Sequence, residues 1–172
     1  TNTEIARARY ASGDGTVPLV SADYVSIPSP HKFYVQNGQH SGLPSVSGVS
    51  DLIAGILTNA STTMASNISN QKTFCAMNGK ELGWHSPVEI HIYDELVNHT
   101  GPTSANEIEY AVPNIDYDIM GHNKFVFLPS DGGHIYRVVT KALSAGTFDL
   151  LIMQNTDGTQ MQGIIFNDVQ IT

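Results

Sequence analysis

The spacing of apolar and polar residues changes along the chain, and the later part alternates. In SPVEIHIYDE, Val88, Ile90 and Ile92 fall on one face and polar residues on the other. KFVFLPSDGGHIYRVVTKAL predicts two strands joined by a Pro-Ser-Asp-Gly-Gly turn, and GTFDLLIMQNTDGTQMQGIIFNDVQIT predicts another pair. The inward residues of the last pair are Phe148, Leu150 and Ile152. Short strands separated by turn residues indicate an antiparallel β-sandwich over residues 84–172.

The first part of the chain has a different pattern. IARARYASG predicts a strand that ends at a loop containing Asp14, and HKFYVQNGQH predicts a second strand with Phe33 and Val35 on one face. SGVSDLIAGILTNA then changes to helical spacing, with Ser50 as N-cap and Asp51 in the first turn. The shared helical face comprises Val49, Ile53, Ile56 and Leu57. This order of strand, loop, strand, loop and helix is typical of an α/β fold, whose strands carry functional loops at their carboxyl ends.

These patterns divide the chain into three segments. Residues 1–60 are predicted to be an α/β fragment, residues 61–83 a linker rich in small polar residues, and residues 84–172 the β-sandwich domain. The N-terminus does not begin with Met, and we therefore expect Thr1 to lie inside a longer parent.

Composition and charge narrow the range of partners. The 172 residues include 41% apolar residues, enough for a core, and a net charge of -8 with 8 Lys and Arg. Nucleic acid is not an expected partner because the chain has no basic stripe to displace counterions, and anionic lipid is disfavoured for the same reason. No run of residues has the length or hydrophobicity of a transmembrane helix. A surface poor in lysine and rich in Asn, Ser and Thr favours an extracytoplasmic or secreted location. Cys75 is the only cysteine, so an internal disulfide is excluded and a small buried residue is expected there.

The segment SGDGTVPLVSADY directs attention to Asp14 and to a histidine partner. Glycines on both sides of Asp14 let the backbone turn sharply and fix the direction of the carboxylate. His40 follows the next predicted strand, in VQNGQHSGL. A carboxylate that accepts a hydrogen bond from imidazole Nδ1 leaves Nε2 free to take a proton from a nucleophile. Asp14 and His40 are therefore the predicted catalytic pair.

GDGTVPLVS, QHSGLP and the following VSDLIAGILTN resemble the C-terminal part of the lecithin:cholesterol acyltransferase-like lipases and acyltransferases. The resemblance covers residues 8–58 and implies an α/β-hydrolase fold with a Ser-Asp-His triad. By that resemblance, Asp14 is the triad acid and His40 the triad base. The implied function is a serine-type lipase, esterase or acyltransferase acting on lipid or other esters.

The sequence departs from that family at the nucleophile. We find no Gly-x-Ser-x-Gly elbow, and the oxyanion-hole loops that precede it in the family are missing too. Because nucleophile, base and acid act as one unit, the chain alone is expected to be inactive. The expected partner is the N-terminal half of the same hydrolase or another copy of the chain, and we expect no cofactor.

Other candidate groups have simpler explanations. Six histidines are expected on turns or polar strand faces, without the spacing of a metal site: His31, His85, His91, His99, His122 and His134. Trp84 and Tyr93 could form a platform for a carbohydrate ring, although packing is the simpler role for Trp84. Calcium in the turn 155–159 is a further alternative. The alternative function is thus a non-catalytic β-sandwich module that binds a carbohydrate or a protein partner.

Overall fold

The computed structural model describes residues 10–85, 87–105, 107–130, 133–156 and 160–171. These residues form two compact units. The smaller unit comprises residues 11–77, and the larger comprises residues from 78 onward together with Tyr10.

The larger unit consists of two antiparallel sheets. Its strands are β3 (Asn78–His85), β4 (Val88–Tyr93), β5 (His99–Pro102), β6 (Ile108–Tyr110), β7 (Asp116–Met120), β8 (Asn123–Pro129), β9 (Arg137–Ala142), β10 (Gly146–Thr156) and β11 (Gln160–Ile171). One sheet has the order β11-β10-β3-β8-β7 and the other the order β6-β5-β4-β9. The antiparallel sandwich predicted for this part of the chain is therefore confirmed.

The core lies between the two sheets. Val88, Ile90 and Ile92 of β4 are fully buried, as their alternation predicted. They belong to one cluster with Leu82 and Trp84 of β3, on the facing sheet. Phe148, Leu150 and Ile152 of β10 also contact this cluster, which confirms the inward face predicted for that strand.

Two hydrogen bonds between side chains and the opposite sheet add specificity to this packing. The Trp84 indole N–H donates to Thr140 Oγ1 on β9, at 3.1 Å. The Tyr117 hydroxyl on β7 donates to the carbonyl oxygen of Ile90, also at 3.1 Å. Buried polar groups are costly without partners, and these bonds therefore favour one alignment of the sheets.

The pairing of β8 with β9 corrects one expectation. The sequence predicts a hairpin, but β8 belongs to the five-stranded sheet and β9 to the four-stranded sheet. The connection therefore crosses from one sheet to the other. In contrast, β10 and β11 do pair with each other. The turn residues 131–132 and 157–159 lie outside the described residues.

The smaller unit has short elements and its own core. It contains helix α1 (Leu19–Ala22), strand β1 (Tyr34–Val35), helix α2 (Val49–Thr58), strand β2 (Ile68–Ser69) and three 3-10 turns (Ser29–His31, His40–Ser45 and Lys72–Cys75). Strands β1 and β2 pair antiparallel. The core is formed by Val49, Leu52 and Ile68 with the partly buried Phe33, Val35, Val46 and Ala65.

The α/β fold predicted for residues 1–60 is wrong, and so is the α/β-hydrolase fragment that the family resemblance implied. Every strand pair in the described residues is antiparallel, whereas that fold needs parallel strands with crossover helices. The second predicted strand is reduced to Tyr34–Val35. Its partner is β2, from within the predicted linker 61–83, because Val35 and Ile68 pack into the same small core. The strand predicted in IARARYASG falls mostly outside the described residues, and Ala11 and Ser12 are not in a strand.

Helix α2 exists where the spacing predicted it, but a different face is buried. Its buried residues are Val49, Leu52 and Gly55, while Ile53, Ile56 and Leu57 are exposed. The N-cap position is Gly48 in a left-handed conformation, and the Ser50 hydroxyl donates to the Pro44 carbonyl oxygen instead of capping the helix. Gly55 is buried because Thr62 packs against it, so the chain that follows the helix determines which side faces inward.

Among the described residues, no helix combines the length and the hydrophobicity needed to cross a bilayer.

Candidate functional site

Asp14 is fixed by the tight turn that contains it. Its Oδ1 accepts hydrogen bonds from the backbone N–H groups of Thr16 and Val17, at 3.1 and 2.7 Å. Gly15 has a φ of +82°, in the left-handed region that favours glycine. A bridge between Gly13 and Pro18 closes the turn. The two glycines therefore have the structural role that the sequence suggested.

The structure brings Asp14 and His40 together. Asp14 Oδ2 lies 2.7 Å from His40 Nδ1, and the backbone N–H of His40 donates to the Asp14 carbonyl oxygen at 2.8 Å. His40 begins a 3-10 turn, and about half of its side chain is exposed. Hydrogen bonds from the Val17 N–H and from His40 lower the pKa of Asp14 to about 2. The pair is therefore preorganised in two ways, through its side chains and through its backbone.

The positions of the protons on Asp14 and His40 determine what chemistry the pair can perform. An ionised Asp14 only accepts hydrogen bonds, and His40 Nδ1 therefore carries the proton and its neutral ring exposes Nε2 as a base. No hydroxyl bonds to Nε2 among the hydrogen bonds of the described residues. A cleft of about 370 Å³ in the same unit is lined partly by Phe33, Ile56 and Met64, and neither Asp14 nor His40 lines it. The catalytic role of the pair stays a prediction.

A second cluster lies on the four-stranded sheet, on the face away from the core. His91 Nδ1 of β4 is 2.9 Å from His99 Nε2 of β5, and His99 Nδ1 is 2.7 Å from Glu109 Oε2 of β6. The two imidazole rings are stacked, with centroids 5.1 Å apart. Their side chains are only 15% and 17% exposed, although the sequence suggested that they face solvent. We call this chain of His91, His99 and Glu109 the histidine relay.

Charged groups surround the histidine relay on the neighbouring strands. Glu89 Oε2 lies 3.8 Å from His91 Nε2 and accepts a hydrogen bond from Lys141 Nζ at 2.8 Å. The Tyr93 ring lies 4.9 Å from the His99 ring, and the Arg137 guanidinium is 4.1 Å above the Tyr93 ring. Burial and the neighbouring His99 lower the pKa of His91.

The carbohydrate platform considered for Trp84 and Tyr93 requires free ring faces, and neither ring presents one. Trp84 is 1% exposed and belongs to the sandwich core, which is the packing role weighed for it in the sequence. The Tyr93 ring is partly covered by Arg137. The described residues therefore carry no pair of exposed aromatic rings at these two positions.

The remaining histidines do not converge on one site. His85 pairs with Asn123 and His134 with Glu95, while His31 and His122 are exposed. Within the described ranges, no three His, Cys, Asp or Glu side chains are arranged to hold a metal ion. The calcium alternative falls on the turn 155–159, of which residues 157–159 lie outside the described residues.

Strand β11 forms an exposed edge that no pattern in the sequence singles out. It pairs with β10, and none of the other described strands lies on its second side. All residues from Gln162 to Asp168 are exposed, and the side chains of Ile164, Ile165 and Phe166 are 60%, 42% and 45% exposed. A long edge strand with apolar side chains is the kind that pairs with further polypeptide.

Comparisons with protein-family models, curated proteins and solved structures find no match for this chain. The acyltransferase resemblance suggested by GDGTVPLVS and QHSGLP is therefore without support from a family model as well as from the fold. The fold and the candidate sites define the class as an antiparallel β-sandwich accompanied by a small second unit.

Proposed function

We propose that this chain is a non-catalytic β-sandwich module that binds a protein partner through the edge of β11. The observation that carries the proposal is the run of exposed residues containing Ile164, Ile165 and Phe166 on an edge strand. Addition of a strand to such an edge forms backbone hydrogen bonds along its length, and side chains on alternate positions supply specificity.

Several features support β11 over the other edges as the binding element. At 12 residues it is the longest of the described strands, whereas the edge strand β6 has 3 residues. Its sequence, QMQGIIFNDVQI, contains no Lys, Arg or Pro, the residues that commonly protect edges from pairing. Burying exposed apolar side chains on binding is favourable by roughly 25 cal/mol per Å².

The chemistry of the edge specifies the partner. The first eight residues of β11 are uncharged, and an extended apolar segment therefore fits there. At its far end the exposed Asp168 donates its backbone N–H to Asp149 Oδ1 at 2.8 Å, so this end of the strand carries two acidic residues, with the Asp149 carboxylate beside the backbone of Asp168. We therefore expect the partner to be an extended polypeptide strand with a Lys or Arg opposite Asp149 and Asp168.

A defined peptide tests this proposal. The probe is a fluorescent peptide of about nine residues that alternates valine with threonine and has one terminal lysine. Fluorescence anisotropy should show saturable binding to the full chain, and NMR shift changes should be concentrated in β11. Ile164→Lys should weaken binding by about tenfold or more, because a charged side chain protects an edge.

The matched control is Ile135→Lys, which places the same charge at another exposed isoleucine away from β11. It should bind the peptide as the unmodified chain does. If the unmodified chain does not bind, or if both variants lose binding equally, the proposal fails.

A second function is favoured by the 2.7 Å contact between Asp14 and His40. We infer that the pair can act as orienter and general base in an ester-hydrolysing site whose serine comes from another polypeptide segment. Asp14 would hold the ring, and Nε2 would take the serine proton.

Titration of the pair tests that second function. We expect the Asp14 carboxyl signal in carbon-13 NMR to titrate near pH 2, and nitrogen-15 shifts to show the proton of neutral His40 on Nδ1. Because the pKa of Asp14 is depressed on folding, its contribution to stability is present above its ordinary pKa and is lost as pH falls through about 2. His40→Ala should raise the pKa only part of the way, since the Val17 N–H still donates to Oδ1. A neutral His40 with its proton on Nε2 would remove the base and the proposal with it.

The extracytoplasmic location predicted from composition stays a proposal. A β-sandwich that binds extended segments is compatible with it.

A further inference from the structure

The ladder between β4 and β5 is short, and hydrogen bonds between Asp94 and Asn98 close the turn that joins the two strands. Ladder pairing joins only Ile92 to Thr100 and Tyr93 to His99, whereas β4 and β9 pair along six residues. The β5–β6 hairpin therefore has a limited backbone attachment to the rest of its sheet. The hydrogen bond between His91 and His99 is a side-chain link across the same junction.

The protons of the histidine relay follow from its acceptors. An ionised Glu109 accepts a proton from His99 Nδ1, so His99 Nε2 in the neutral ring is an acceptor. His91 Nδ1 must then donate to it, which leaves His91 Nε2 as the remaining basic nitrogen. One added proton on that nitrogen preserves the bond and forms an imidazolium facing Glu89, 3.8 Å away.

A second added proton cannot be accommodated without breaking the hydrogen bond between His91 and His99. It must sit on His99 Nε2, where an N–H group would face the N–H group of His91 at a distance of 2.9 Å. The two stacked rings would also both be cations, which repel each other. The bond therefore exists only while fewer than two protons have been added.

We propose that the histidine relay is an acid-sensitive latch: protonation of both His91 and His99 breaks their hydrogen bond and releases the β5–β6 hairpin from β4. The release breaks no covalent bond and needs only protons from solvent. It changes which surface of the four-stranded sheet is presented, independently of the binding edge at β11.

Every charged neighbour of the latch affects this balance. Glu109 from β6 accepts a hydrogen bond from His99, and Glu89 from β4 favours a cation on His91. Lys141 from β9 opposes a cation on His91. Arg137, also from β9, lies over the Tyr93 ring, which contacts His99.

The direction of the pH effect follows from His91. Burial, the neighbouring His99 and Lys141 lower the pKa of His91, and only Glu89 raises it. A histidine with a pKa depressed by folding contributes stability at pH above its ordinary value, and that contribution is lost as pH falls. The latch should accordingly be closed near neutral pH and open in mild acid.

Hydrogen exchange in the full chain tests the latch. In acid, amides of β5 and β6 should exchange faster relative to those of β8. The expected increase is about tenfold for each unit by which the pKa of the relay histidines differs between the closed and open forms. The comparison runs from about pH 7.5 to about pH 5, after correction for intrinsic rates. Nitrogen-15 spectra of the unmodified chain should show His91 and His99 titrating in two coupled steps, with the exchange change in the second.

Two variants and a control make the outcome decisive. In His99→Gln, the amide oxygen can accept from His91 and the amide N–H can donate to Glu109, so the hairpin should stay protected in acid. His91→Ala should be unprotected at both pH values. The control His122→Gln replaces an exposed histidine in the turn between β7 and β8, away from the relay, and should keep the unmodified profile.

A relative exchange rate that changes by less than about twofold across this pH range would overturn the proposal, because one pKa unit corresponds to about tenfold. It would also fail if His99→Gln opened in acid as the unmodified chain does, or if the two histidines titrated independently.

Discussion

Trp84→Ala is expected to lower the free energy of unfolding of the sandwich unit by about 3–5 kcal/mol, the range for large aromatic residues removed from cores. Trp84 is 1% exposed and belongs to the cluster that joins β3 to Ile90 and Ile92 of the opposite sheet. Removing the indole opens a cavity there and leaves Thr140 Oγ1 without its donor. Urea unfolding followed through the methyl NMR signals of Ile90 and Val126 measures the loss in this unit alone.

Thr140→Val separates the hydrogen bond from the packing. It removes the acceptor of the indole N–H and keeps nearly the same side-chain volume, so the expected cost is about 1–3 kcal/mol for an unsatisfied buried donor. If Trp84→Ala costs no more than Thr140→Val, the indole ring does not carry the packing between the sheets.

The sandwich could be predicted because β4 alternates strictly and turn residues separate the short strands. The residues of β4 that point inward occupy every second position, and burial follows that period directly. What the sequence could not supply is which strand joins which sheet. β8 and β9 look like a hairpin because a Pro-Ser-Asp-Gly-Gly segment separates them, yet that segment carries the chain between sheets. The residue types of a turn indicate that the chain changes direction, but they do not indicate which sheet the next strand joins.

The smaller unit was mispredicted for a related reason. A single apolar strand next to a helix fits an α/β pattern locally, but Tyr34–Val35 pairs antiparallel with Ile68–Ser69 from much further along the chain. Helix α2 shows the same dependence on later chain, since Thr62 covers Gly55 and the larger Ile53 and Ile56 remain exposed. Such tertiary contacts, and not the apolar face of the helix alone, determine which residues are buried.

The two polar sites differ in how visible they are in the sequence. Asp14 stands between two glycines, a local feature that the structure shows as a tight turn with the carboxylate fixed by backbone N–H groups. The histidine relay has no local pattern, because His91, His99 and Glu109 come from three strands. The turn after Tyr93 was the available signal: it sets His99 opposite Tyr93 and hence diagonal to His91 on the same face.

Gly101→Ala is expected to destabilise the sandwich unit by about 3 kcal/mol, from strain of the backbone and overpacking together. Gly101 has a φ of +147°, and a Cβ there would lie 2.6 Å from the carbonyl oxygen of Ile90. The glycine therefore permits β5 to approach β4 at the point where the histidine relay joins them. Urea unfolding and amide exchange of β5 measure the effect.

Gly146→Ala is the matched control for that substitution. Gly146 has a φ of +155°, close to that of Gly101, but a Cβ there would meet no atom within 4 Å. The control should therefore cost only the strain, about 1 kcal/mol. The difference between the two variants measures the close approach of β5 to β4, and equal losses would show that this contact does not constrain the position of the hairpin. In the expected case, Gly101→Ala should also raise the exchange of β5 amides at neutral pH, because it separates the strands that the relay holds together.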